Sequence, residues 1–185
     1  MRGDAMRELV ELLKIVALAV ATAVAYGIIH DQFTARICVE YFTVGHPPVF
    51  NTTSPTLLAL GWGVIATWWV GVLLGVPAAC LARFGGWPKL AARDLVRPLV
   101  VLLGVMAVTA VAAGFVGYEL AGSGLIALRS PLADAVPQPR HAGFIADAAA
   151  HLASYGTGFA GGVVLWIWIL VRRRRIATAS FSAVQ

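Results

Sequence analysis

Charge is what this chain has least of. Only 12% of its 185 residues are Asp, Glu, Lys or Arg, against roughly 25% in a soluble domain. Cysteine is nearly absent too. Cys38 and Cys80 form no CxxC pair, which removes a disulfide framework, a thiol redox motif and a cysteine zinc site. There is no P-loop, no dinucleotide fingerprint, no GxSxG elbow and no HExxH. Nucleotide chemistry and the common hydrolase signatures are therefore excluded as starting points. No internal repeat marks an inverted-repeat transporter. Lysine is scarce beside arginine, two against twelve, and alanine is abundant; that composition fits a GC-rich bacterial genome.

What is present is apolar. Hydrophobic residues make up 59% of the chain and its mean hydropathy is +0.82. Long uncharged runs replace the alternation of a soluble fold, and about 20 helical residues cross a bilayer core. The runs predict an all-α, polytopic membrane protein. It is read as a four-transmembrane-helix bundle forming a single integral membrane domain over residues 1–185, with an ordered extracytoplasmic loop after the first helix. The helices are expected at about 12–36, 56–82, 98–121 and 142–171, with a disordered tail over 176–185. Gly45, Pro47 and Pro48 break the first connection, and Ser54-Pro55 reads as an N-cap with proline at the first helical position. Pro98 is read as opening the third helix in the same way. Ala-x-Ala triplets near residue 23 also fit a signal peptide, but the run is long for one and no soluble domain follows it.

The charges orient the helices. Arg2, Arg7, Lys14, Arg83, Lys89, Arg93, Arg97 and Arg172 to Arg175 cluster at one side; only Arg36, Arg129 and Arg140 fall on the other. The positive-inside rule then predicts a bacterial inner (cytoplasmic) membrane protein with both termini cytoplasmic. The net charge of +5 is thus topological, and the expected partner is the lipid bilayer, with a homo-oligomer or a membrane-protein partner as further options and no nucleic acid.

All four histidines, His30, His46, His141 and His151, lie on the predicted outer side, with five of the nine acids. Residues 26–50 alone hold two histidines, two acids and Arg36. On the fourth helix Asp147, His151 and Tyr155 follow at i, i+4 and i+8, one face, and the stripe continues as Gly158 and Gly162. His30 stands above Gly27, Ala23 and Ala19, and the second helix carries Gly63, Thr67, Gly71 and Gly75. Small residues let membrane helices approach closely, so these faces are expected to be seams. Histidines and carboxylates converging between helices are how bundle metal sites are built. The predicted ligands are His30, Glu40, His46 and His151, for a divalent transition metal such as Zn, Cu or Fe. Asp31, Arg36, Glu119, Asp147 and Tyr155 are expected around them as orienting groups. His30 and His151 should face one cavity, with Glu40 or His46 folded over them.

Other readings stand beside this one. The cluster can be a proton or cation site of a small channel or transporter subunit, or an ordinary solvated polar cap with Arg36 pairing Asp31 or Glu40. The chain can also be a non-catalytic membrane partner or assembly subunit, whose seams and loops hold another membrane protein and which needs none of these polar groups. The inner half of every helix is apolar or small, which counts against a transport path through a monomer.

Overall fold

A computed structural model describes the backbone of residues 2–182 and the side chains of residues 4–179. All of its regular structure is helical: α1 Arg2–Ile37, α2 Val39–Thr43, α3 Pro55–Ile65, α4 Trp68–Arg83, α5 Ala92–Gly122, α6 Leu132–Ala135, a 3-10 turn Gln138–Arg140, and α7 His141–Ser182. Four segments are long and apolar enough to cross a membrane: Asp4–Ile37, Pro55–Arg83, Ala92–Gly122 and Gln138–Ala179.

Several boundaries differ from the sequence reading. The third long helix starts at Ala92, before Pro98. Asp94 reaches back, its Oδ2 accepting from the Ala91 N–H at 2.7 Å, while its own N–H donates to the Ala91 carbonyl at 3.0 Å. This reciprocal arrangement supports a helix start and leaves Pro98 inside the helix. The second predicted helix is interrupted at Ala66 and Thr67. The Ala66 carbonyl there accepts from the Tyr155 hydroxyl at 3.3 Å. The last helix runs on to Ser182, through most of the stretch expected to be a tail; residues 183–185 of that tail lie outside the described residues. Where the sequence predicts a start at Pro55, α3 begins there, although the Ser54 side chain makes no cap hydrogen bond.

The chain gathers into two compact units. One comprises Met1–Val24, Thr67–Leu102 and Phe159–Gln185, the other Ala25–Ala66 and Leu103–Gly158. We call them the basic unit and the histidine unit, because the first carries eleven of the fourteen Lys and Arg residues and the second all four histidines.

The basic unit packs Ile15, Ala78, Ala79, Ala82, Leu95, Leu99 and Ile169 into one core. Gly71 and Gly75 let α4 approach α1: a Cβ on Gly71 would stand 2.6 Å from the Val20 Cα, and one on Gly75 2.7 Å from the Ala19 Cβ. Ion pairs join its helix ends, Glu8 to Arg83 at 2.8 Å and to Lys89 at 3.0 Å. Arg173 is 2% exposed. Its guanidinium donates to the carbonyls of Pro88 and Trp87, both at 2.9 Å, and to that of Leu81.

The histidine unit has two small cores. Ala35, Phe42, Leu58 and Ala59 form one, and Cys38, Val136 and Phe144 the other. Its tightest helix approach is α3 on α1, where a Gly63 Cβ would meet the Ile28 backbone N at 2.5 Å. Of the two glycines expected in a seam of α7, Gly158 faces the Met106 side chain in this unit, and Gly162 faces Leu74 in the basic unit.

Candidate metal centre

Two helices supply the centre. α1 enters its last two turns with His30, Asp31 and Thr34, and α7 presents Asp147, His151 and Ser154. They are tied one turn below the histidines by Tyr26 and Ser154, whose hydroxyls lie 2.8 Å apart. At that rotation of the two helices His30 and Asp31, neighbours in sequence, both turn toward α7. The His30 and His151 rings stand edge to face with centroids 4.5 Å apart. Asp31 Oδ1 lies 3.2 Å from His151 Nε2. One potential ligand atom from each of His30, Asp31 and His151 lies within 4.8 Å of the others.

Hydrogen bonding assigns the protons. His151 Nδ1 is 2.7 Å from the Asp147 main-chain carbonyl oxygen, which can only accept, so Nδ1 carries the hydrogen. In the neutral ring Nε2 is then a lone pair, and it points at a carboxylate oxygen, a second acceptor. The contact is repulsive unless a proton or a metal cation lies there. His30 Nε2 is likewise buried with no hydrogen-bond partner. Both features suit metal ligation. Ligating histidines commonly donate their other N–H to a carbonyl, and metal–nitrogen distances of about 2.0–2.1 Å need donor atoms within roughly 4 Å of one another, a contraction that side-chain rotation supplies.

An aromatic wall closes the centre. Tyr41 lies tilted against His151 and Phe42 edge-on to it, with centroids at 4.5 and 5.8 Å. His46 packs against Tyr41 at 4.9 Å and Trp62 at 4.7 Å, and its Nδ1 bonds the Tyr41 carbonyl at 2.8 Å. The loop does fold back as the sequence suggested, but it brings an aromatic cover and keeps the His46 imidazole outside the triad. Burial, and next the Tyr155, Asp147 and Asp31 charges, raise the Tyr41 phenol above its ordinary range, so it stays a neutral ring.

Glu40 is engaged elsewhere. Its Oε2 accepts from Arg140 Nε at 3.1 Å and from the Cys38 thiol at 3.3 Å. Burial pushes the Glu40 carboxyl up, but its own amide, Arg140 and Cys38 together hold it below the ordinary value. Cys38 itself is fully buried, and burial and then Glu40 push its thiol up to about 11. Arg36 bonds Gln32 at 2.7 Å and the Thr56 hydroxyl at 2.8 Å, in place of the expected Asp31 or Glu40. Glu119 is exposed and outside the triad, and His141 bonds the Val136 carbonyl at 2.9 Å. Tyr155 serves the Ala66 carbonyl.

Asp147 is the unusual group. It is 0% exposed, and neither carboxyl oxygen has a hydrogen-bond partner of good geometry; the Cys38 N–H that faces it donates to the Thr34 carbonyl at 3.0 Å.

Of the four predicted ligands, the structure brings His30 and His151 together, and Asp31, expected only as an orienting group, offers an oxygen within 4.8 Å of them. The adjacent His30-Asp31 pair was the available signal. Comparison with known proteins adds nothing to this picture, since no family model, no curated protein and no solved structure matches the chain.

Proposed function

We propose that this chain is an integral membrane protein that binds a divalent transition metal through His30, Asp31 and His151. The observation that carries the reading is the His151–Asp31 contact: a ring nitrogen whose proton is assigned to the other side faces a carboxylate at 3.2 Å, and His30 Nε2 is orphaned beside it. Two imidazoles and one carboxylate are a donor set used by zinc and non-haem iron sites that keep a position open for water or substrate. A bound metal would supply Lewis acidity to such an oxygen ligand. The protein's own part is a dry, aromatic-walled site with His151 oriented by the Asp147 carbonyl.

The Lys and Arg asymmetry supports an orientation with both termini in the cytoplasm and the centre toward the outer face of a bacterial inner membrane. Single cysteines introduced at exposed Asn51 and Gly86 test that orientation: Asn51→Cys should react with an impermeant thiol reagent from outside, and Gly86→Cys only after the membrane is opened.

A second reading rests on the same contact. A proton shared between Asp31 and His151 would also relieve it, and buried acid–imidazole pairs serve as proton sites in membrane transporters. Metal analysis separates the two. Purified in detergent without chelator, the wild type should retain close to one zinc, copper or iron per chain, and the double variant His30→Ala/His151→Ala none. Equal metal content in both would leave the proton site as the reading that stands.

A further inference from the structure

In the histidine unit, α1, α5 and α7 enclose a groove of about 670 Å³, within the 300–1,000 Å³ range of small-molecule sites. Its rim is apolar and exposed at Ile29, Phe33, Val111 and Phe115. All three helices are long and apolar enough to span a membrane, so such a rim would face acyl chains in a bilayer. His30 and Asp147 are among the residues that line it. The Tyr26 hydroxyl is engaged with Ser154 at 2.8 Å and the Thr34 hydroxyl with the His30 carbonyl at 3.3 Å, and Tyr118 is an exposed part of the lining. Among the described residues, His30 Nε2 and the Asp147 carboxyl are buried there without a hydrogen-bond partner of good geometry.

A buried carboxyl without a partner is costly, and no described residue relieves it with good geometry. None of the groove's lining residues is Lys or Arg, so nothing there attracts an anionic head. We infer that the groove binds a long-chain amphiphile with a neutral hydroxyl head, its chain lying between α1 and α5 and its hydroxyl bonded to the Asp147 carboxyl. A hydroxyl both donates and accepts, so it satisfies Asp147 in either protonation state. The apolar chain packs against the apolar rim in place of a bilayer acyl chain. The site is separate from metal ligation: Asp147 offers its main-chain carbonyl to His151, and its side chain is left for the ligand.

The test uses the full chain in phosphatidylcholine nanodiscs and hexadecanol carrying a mid-chain diazirine. Photolabelling should be saturable, should map to the α5 stretch 103–118, and should be displaced by plain hexadecanol. Ala107→Phe changes an exposed residue of the groove wall and should fill the groove without disturbing the fold. Asp147→Leu removes the head contact. Ala107→Phe should abolish saturable labelling by occupying the groove, and Asp147→Leu should weaken it about tenfold, the effect of losing one hydrogen bond to a carboxyl group. Thermal melting checks that both variants remain folded. Labelling that does not saturate, or that survives Ala107→Phe, would mean ordinary boundary lipid and overturn the proposal. So would undiminished labelling of Asp147→Leu, or equal labelling by palmitic acid carrying the same diazirine.

Discussion

The two units bury polar groups in opposite ways. In the basic unit, Arg173 is 2% exposed and all its donor groups that point inward reach main-chain carbonyls, those of Pro88, Leu81 and Trp87. In the histidine unit, Asp147 is more deeply buried still, yet among the described residues neither oxygen has a hydrogen-bond partner of good geometry, and neither has His30 Nε2. A satisfied buried charge closes a fold: its donors tie separate segments together, here α7 to the end of α4 and to the connection that follows it. An unsatisfied one has a cost that the fold alone does not repay. Such groups are where a ligand, metal or proton is expected. The comparison therefore separates a unit built for anchorage from one built around a site.

The largest effect should come from breaking the satisfied side. Arg173→Met leaves three carbonyls without donors, at roughly 1–3 kcal/mol each before water recovers part of it. We expect a loss of about 3 kcal/mol or more in denaturant unfolding in detergent. A loss under about 0.5 kcal/mol would mean that the carbonyls find water as readily as they find Arg173.

Next is the buried pair. His151→Leu strands Asp31, which is 5% exposed, and should cost about 1–3 kcal/mol. Adding Asp31→Leu should restore much of that loss, because the stranded carboxyl goes with it. Strict additivity in this double-mutant cycle would show that the two side chains do not interact.

Asp147→Leu tests the other half of the comparison, and its expected sign is reversed. No hydrogen bond disappears with the carboxyl, and the His151 contact uses the main-chain carbonyl. Stability measured without ligand should hold or rise by about 1 kcal/mol. A clear loss would mean that the Cys38 amide is a true partner, and that the carboxyl belongs to the fold.

The smallest effect concerns pH. Glu40 has a folded pKa below its ordinary value of 4.5, so it contributes stability above that value, and the contribution fades as pH falls through the lower folded value. Its partner Arg140 has a side chain 41% exposed, and screened pairs of this kind give less than about 1 kcal/mol. Melting temperatures of the wild type should fall slightly more between pH 5 and pH 3 than those of Glu40→Gln. An identical fall in both would remove Glu40 from the acid response.

Much of this was legible in the residues themselves. Pro55 announces α3 because a missing N–H is harmless only in the first turn. Pro98 misleads for the same reason: the start at Ala92 depends on Asp94 reaching back to Ala91, and that acid sits in a stretch which reads as a basic connection. The break at Ala66 and Thr67 carries no proline or glycine marker, and it coincides with a hydrogen bond from Tyr155, 89 residues away. Glu40 and His46 were plausible ligands by position, but a five-residue helix, α2, turns Glu40 to Arg140 and packs Tyr41 and Phe42 against both His46 and His151.

The sequence by itself determined the four apolar spans and the segregation of arginine from histidine, because run length and charge are properties of the chain in one dimension. It also determined that His30 and His151 end two small-residue faces, through the helical period. Only the tertiary structure decided which carboxylate meets them. Asp31 and His151 are 120 residues apart, and their contact depends on how far each helix is rotated about its own axis. The Tyr26–Ser154 bond and the close approach at Gly63 accompany that rotation, and both are products of packing.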